Sequence, residues 1–235
     1  AQKATILSSL GFHSAVPLSS VHREGISGIT AEQINAAQRS GHVIKLLAIC
    51  DRRVDQVSGK NGVTTRVHPT LIPRNHPLAA AHGANNAVYV EAEAAGPLMF
   101  YGAGAGGPET ASAVLGDVVS AARRHVVGGP GLGESIQANL PSIPLSRIEN
   151  RFQITLTVKD LPGVLASVAN VLSGAGVSVE TLHQNLGSGF AIDGKSANLV
   201  IQTHFASEEN ISRTIMALER ETVVLSVPSV LRVEG

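Results

Sequence analysis

The sequence predicts an α+β chain of two domains: a mixed α/β domain over residues 1–125, then a βαββαβ ferredoxin-like unit over residues 151–235. Three observations predict it. Residues 126–150 hold Gly128, Gly129, Pro130, Gly131, Gly133, Pro141 and Pro144, a density of helix-breaking and strand-interrupting residues that reads as a linker. Ahead of this stretch, helical and strand periodicities alternate without a simple repeat; behind it, strand, helix, two strands, helix and strand follow in turn. With 43% hydrophobic and 15% charged residues, the 235-residue chain can pack cores in both parts, which excludes intrinsic disorder.

The chain opens in helical sequence, with Ala4, Ile6, Leu7 and Leu10 as its apolar positions and Lys3 beside them. Thr30-x-x-Gln33 reads as a capping box that starts a helix over 31–39. An apolar strand follows over 43–50, ending in Leu46-Leu47-Ala48-Ile49-Cys50. Residues 63–69 alternate at period two, 77–81 are short and helical, and 87–91 and 98–101 read as further strands of a substantial sheet. Gly102-Ala103-Gly104-Ala105-Gly106-Gly107 then leads into a helix with Ala111, Val114 and Val118 on one side.

Behind the linker, Phe152, Ile154, Leu156 and Val158 alternate with Gln153, Thr155 and Thr157, the pattern of a half-buried strand. Asp160 offers an N-cap, Pro162 falls in the first turn, and Val164, Leu165, Val168 and Leu172 share a helical face that stops at Gly174 and Gly176. Strands over 177–186 and 196–205 are joined by a turn containing Gly187, Gly189 and Gly194. A helix capped by Ser207 buries Ile211, Ile215 and Leu218, and a last strand runs from 223 or 225 to 233.

Composition narrows the function. Eighteen basic and eighteen acidic residues cancel, and no basic stripe points to nucleic acid or an anionic membrane. Cys50 is the one cysteine, so an intrachain disulfide and a cysteine metal cluster are both excluded, and a cytoplasmic setting is expected. No apolar run approaches the roughly 20 residues of a membrane span, and no signal-peptide layout opens the chain. Aromatic residues make up only 3%, which argues against base or sugar stacking. His13, His22, His68, His76, His82 and His125 are dispersed without metal-ligand spacing, so no metal is expected. Ser19, Ser20 and Ser112 lack a nucleophile-elbow context, which leaves a hydrolase with little support.

Two segments carry chemistry. Strand, glycine turn and helix at 102–107 form an anion-ready arrangement, yet no second strand with a terminal acid follows within about 20 residues, as a Rossmann fingerprint requires. The segment reads either as a ligand-contacting loop or as a tight turn for close packing. Asp160-Leu161-Pro162-Gly163-Val164-Leu165 reads either as helix capping or as a cradle for the carboxylate of a small amino acid, closed by a strand from a neighbouring unit. Lys3, on local sequence alone, is a solvated charge.

Taken together, Gln2-Lys3-Ala4-Thr5-Ile6-Leu7, Arg23-Glu24-Gly25-Ile26, Ile44-Lys45-Leu46-Leu47, His76-Pro77-Leu78-Ala79, Asn86-Ala87-Val88 and the run from Tyr101 to Asp117 resemble the C-terminal part of actinobacterial-type homoserine dehydrogenases. The resemblance extends over essentially all 235 residues, and the second domain is similar to ACT regulatory domains. It implies a substrate, catalytic and dimerisation domain followed by an ACT domain, acting on L-homoserine or L-aspartate 4-semialdehyde with NADP or NAD. Lys3 matches the lysine of the family's D-x-x-x-K motif and so becomes the catalytic acid/base. The motif's aspartate would precede Ala1, and the family's N-terminal dinucleotide-binding domain is absent, so a fragment inactive by itself is expected. By the same resemblance Gly102 and Gly104 lie near the coenzyme, while Asp160, Pro162, Gly163 and Leu165 bind an amino-acid effector, threonine. The chain is expected to form a homodimer or homotetramer. Where the family has proline then threonine, this chain has Glu109-Thr110, and the acid is expected to face solvent. The alternative reading is a non-enzymatic amino-acid-binding module whose first domain is an oligomerisation scaffold.

Overall fold

The computed structural model describes residues 1–55, 57–128, 137–186 and 196–235. Its elements in chain order are α1 (Gln2–Phe12), β1 (His22–Arg23), α2 (Ala31–Arg39), β2 (His42–Val54), β3 (Asn61–Pro73), β4 (Asn85–Ala92), β5 (Gly96–Ala103) and α3 (Gly107–Val127). There follow β6 (Glu149–Lys159), α4 (Val164–Gly174), β7 (Val179–Leu186), β8 (Ser196–Thr203), β9 (Ala206–Ser207), α5 (Glu208–Leu218) and β10 (Val224–Val233), which complete an α+β fold. The turn expected at Gly187, Gly189 and Gly194 lies outside the described residues, as do Gly129, Pro130, Gly131 and Gly133 of the expected linker.

Two compact units are present. One joins Ala1–Ile72 to Ile136–Gly235; the other is Pro73–Ser135. Strand pairing explains why the first takes in segments from both sides of residues 126–150. β3 pairs in parallel with β10, Thr70 beside Arg232 and Leu71 beside Val233, and Val63 bridges to Ser142. Glycine and proline density marks where regular structure breaks, but it carries no information about which strands pair across the break.

In the larger unit the main sheet runs β1-β3-β10-β6-β8-β7, with β2 on β3 and β9 on β6. Its β10-β6-β8-β7 portion is antiparallel throughout and has the strand order of a ferredoxin-like βαββαβ unit. The side chains of α4 and α5 close over one face, where Phe152, Ile154, Leu156, Val168, Leu199 and Leu218 form the centre of the core. Burying each such side chain contributes about 1.5–3 kcal/mol, which is why the apolar half of the β6 alternation dictates its register. β6 is nevertheless buried on both faces: Gln153, Thr155 and Thr157 are buried as well, and the Thr157 hydroxyl donates to Asn198 Oδ1 at 3.2 Å.

The α2 capping box is present: Gln33 N donates to Thr30 Oγ1 at 3.3 Å, and Thr30 N donates to Gln33 Oε1 at 2.8 Å. Ser207 caps α5 by accepting from Asn210 N at 3.1 Å. The N-cap expected at Asp160 is instead Gly163, with φ 89° and no side-chain cap. Residues 161–164 turn first, with Val164 N donating to Leu161 O, and only a glycine adopts the left-handed backbone this entry needs at little cost.

The smaller unit contains the β4–β5 hairpin, paired from Asn85 with Ala103 to Ala92 with Gly96, and the 21-residue α3. These strands form a two-stranded sheet of their own rather than part of a larger one. Val88, Val90, Leu98 and Phe100 share one hairpin face, and all four are exposed.

Candidate functional site

Lys3 is exposed on α1. The helix turns Ala4 and Ser8 inward, whereas Ile6, Leu7 and Leu10 are at least half exposed. Positions 3, 7 and 10 follow helical spacing, so the ammonium group shares its face with apolar side chains. The inner stripe is fixed by polar contacts. Thr65 of β3 donates its hydroxyl to Ser8 Oγ at 2.9 Å, and Cys50 Sγ of β2 donates to the Ala4 carbonyl oxygen at 3.6 Å. Burial pushes the Cys50 thiol up from its ordinary value, which keeps it the protonated donor that this contact needs. Lys3 is thus a flexible charge on a fixed backbone.

The glycine segment divides residue by residue between its two readings. A side chain at Gly104 would collide with the Asn86 amide, and one at Gly106, where φ is 142°, would collide with the Glu109 carboxylate. Both obstacles are the ends of exposed side chains that can move aside, so it is the φ at Gly106, not the contact, that calls for glycine. At Gly102 nothing lies within 4 Å of where a Cβ would stand, so the backbone is open to an approaching ligand. Glu109 is exposed, and its carboxylate lies against Gly106 at the start of α3, where it complements the positive end of the helix. An anionic phosphate fits poorly there; a neutral ring over Gly102 is compatible with the arrangement. Lys3 and this segment belong to different compact units.

Asp160, Pro162, Gly163 and Leu165 are brought together. All four line a cavity of about 350 Å³ at the junction of β6 and α4, whose floor includes Val158 and Leu199. Gln184 of β7 also lines it, a residue that sequence reasoning missed. The register that sets Gln184 beside Leu199 places it there, and its one local signal is a polar amide between Leu182 and Leu186. The cavity matches the lower range of small-molecule sites. The free N–H groups in the first turn of α4 suit a carboxylate, and Asp160 and Gln184 suit an ammonium group.

A second polar assembly was also absent from the sequence reading. The expected period-two strand is buried on both faces of β3, including Thr64, Arg66, His68 and Thr70. Arg66 Nη1 meets Asp51 at 2.7 Å and Nη2 meets Glu234 at 2.7 Å. His68 is fully buried, with Nδ1 at 3.1 Å from the Pro69 carbonyl oxygen, and burial together with the Arg232 charge pushes its pKa down to about 3. His22 Nε2, Arg66 Nε and His68 Nε2 are buried without a hydrogen-bond partner among the described residues.

Among the described residues no cluster of three or more His, Cys, Asp or Glu could hold a metal ion, and no helix is long and apolar enough to cross a membrane. The homoserine dehydrogenase family model matches residues 1–119. A homoserine dehydrogenase of Corynebacterium glutamicum is 48% identical over 234 residues, covering 100% of this chain and 51% of the relative. One from Mycobacterium tuberculosis is 46% identical over 238 residues, covering 100% and 53%. A solved homoserine dehydrogenase from Thiobacillus denitrificans superposes with a TM-score of 0.85 at 32% identity, over 99% of this chain and 52% of that one. A structure from S. aureus at pH 7.0 gives 0.65 at 30%, over 99% and 52%. The chain spans about half the length of the curated relatives it matches. With a family model over half its length and relatives aligned along all of it, the chain belongs to the homoserine dehydrogenase family.

Proposed function

We propose that this chain is the substrate-binding and effector-binding part of an NAD(P)-dependent homoserine dehydrogenase, which interconverts L-homoserine and L-aspartate 4-semialdehyde in the cytoplasm. Residues 1–125 act as the substrate domain, 126–150 as the connection and 151–235 as an ACT domain that binds threonine. The observation that carries this reading is Lys3, exposed on a helix whose opposite face is held by Ser8 and Ala4.

A bound nicotinamide coenzyme would supply the hydride for the aldehyde carbon, or accept it in reverse. Lys3 Nζ donates a proton to the carbonyl oxygen as that oxygen gains charge, and takes it back from the hydroxyl during oxidation. Gly102 would leave room for a nicotinamide ring, with Gly104 beside it in the same turn. Most coenzyme contacts belong to the half of the relatives that this chain does not match. By itself the chain leaves the hydride donor unpositioned, and orientation is a large part of the rate enhancement. The uncovered hairpin face of Val88, Val90, Leu98 and Phe100 supports self-association as a homodimer or homotetramer.

The test joins this chain to the half of the Corynebacterium glutamicum relative that it does not match and follows homoserine oxidation. The isolated chain should be inactive and the joined protein active, and Lys3→Met should lower kcat by about 10²–10⁴-fold. Full activity in the Lys3→Met protein overturns the catalytic assignment. A joined protein that binds threonine but never oxidises homoserine supports the non-enzymatic module.

A further inference from the structure

We infer that Glu109 sets the preference of this protein for the oxidised over the reduced form of its nicotinamide coenzyme. This rests on the reading above that seats a nicotinamide ring over Gly102. The two residues belong to one compact unit and are joined by one turn. Gly102 lies near the end of β5, Gly106 stands at the cap of α3, and Glu109 occupies the third position of the helix. Thr110 N donates to Gly106 O at 3.1 Å and closes the first helical bond. The backbone from Gly102 to Gly106 spans at most about 14 Å, so a group over Gly102 is within range of the charges at the helix start.

Without an acid, this end of α3 is electropositive. The first N–H groups of the 21-residue helix have no acceptor within it and carry the positive end of its dipole, about half an elementary charge. Gly106 brings no side-chain cap. Glu109 answers that charge, because its carboxylate folds back against Gly106. A full negative charge outweighs the helix end and reverses the sign of the field over the turn. No ion pair neutralises Glu109 among the described residues, and the side chain against Gly104 is the uncharged amide of Asn86. The sign matters because the nicotinamide ring carries one positive charge when oxidised and none once it holds the hydride, while the rest of the coenzyme keeps the same charge in both forms. Glu109 therefore favours the oxidised ring and leaves the reduced one almost unaffected; a bare helix end would do the reverse. One unit charge acting over about 10 Å near a protein surface is worth about tenfold in a dissociation constant, and the exposure of Glu109 lowers this to about threefold to fivefold.

The test uses the joined protein described above, with NADP⁺ and NADPH as the probes and calorimetry to read each Kd. Glu109→Gln removes the charge and keeps a side chain that caps a helix from its third position, so the turn and α3 are retained. In this variant the Kd for NADP⁺ should rise by about threefold to fivefold, while that for NADPH should change by less than about 1.5-fold. A ratio of the two constants within about 1.5-fold of the unaltered value overturns the inference. That includes an equal loss of both forms, which is what a merely structural role for Glu109 would give. Gly102→Leu tests the underlying reading separately. It puts a side chain where the ring would stand, and both constants should rise by about tenfold or more. If they do not change, the seat of the ring and the role of Glu109 fall together; if they rise while Glu109→Gln leaves the ratio alone, only the inference falls. If Glu109→Gln does not fold, salt decides: the preference of the unaltered protein for NADP⁺ should shrink by about twofold between about 0.05 M and 0.5 M salt, and a constant ratio overturns the inference.

Discussion

Replacing Arg66 by methionine removes the most deeply buried charge described in the larger unit. The side chain is 1% exposed and donates to Asp51 at 2.7 Å, to Thr64 Oγ1 at 3.0 Å and to Glu234 at 2.7 Å. Methionine fills much of the volume, so the loss is electrostatic more than steric. Asp51 then keeps Arg53 at 3.1 Å, while Glu234 loses the guanidinium that holds it. Removing one partner of a fully buried pair costs about 3–5 kcal/mol, but the Asp51 and Glu234 side chains are 28% and 29% exposed and regain part of their hydration. The expected cost is therefore about 2–3 kcal/mol, near the lower end. Urea unfolding of the larger unit should show a lower midpoint at unchanged slope, and Arg66→Lys should recover only part of the loss because one ammonium group cannot span both acids. A loss below about 0.5 kcal/mol would refute the reasoning, since it would mean that the carboxylates are solvated well enough not to need the guanidinium.

Two further outcomes follow from single residues. His68 has a folded pKa of about 3 against an ordinary 6.5, so the unfolded chain binds the extra proton first and stability falls as pH drops from 6.5 toward 3. About 2 kcal/mol should be lost between pH 7 and pH 5, read as a fall in the urea midpoint, and His68→Gln should flatten that part of the profile; an unchanged profile would show that the ring is not held neutral. Gly163 sits at φ 89° with open space around it, so Gly163→Ala meets backbone strain alone and should cost about 1–2 kcal/mol. Calorimetry should also show weaker threonine binding, because a shifted turn moves the N–H groups that face the cavity.

What could be read in the sequence was local. The Thr30–Gln33 capping box, the β6 strand and the helix start after Asp160 are each set by residues within a few positions of one another and each is present, although β6 is buried on both faces and the cap falls on Gly163 instead of Asp160. What could not be read depends on distant partners. The period-two pattern at Val63 to Pro69 marks a strand without saying that its polar face, with Arg66 and His68, is covered by segments far along the chain. The exposed Ile6, Leu7 and Leu10 escape for the opposite reason: the same letters describe a helix packed on either face, and only Ser8 meeting Thr65 decides which face turns inward. Gln184 joins the cavity through strand register, a property of the pair β7 and β8 rather than of either strand.

The position of β10 has a consequence for how the protein is made. The strand comes last in chain order, yet it lies between β3 and β6 in the sheet. During synthesis β3 emerges well before β10 and waits with part of one edge bare until Val233, the neighbour of Leu71, has left the ribosome. Closing so distant a contact is slow, and a bare edge beside apolar side chains invites pairing with other chains in the interval. Yield from a cell should then depend on elongation rate and chaperone supply more than on the stability of the finished fold.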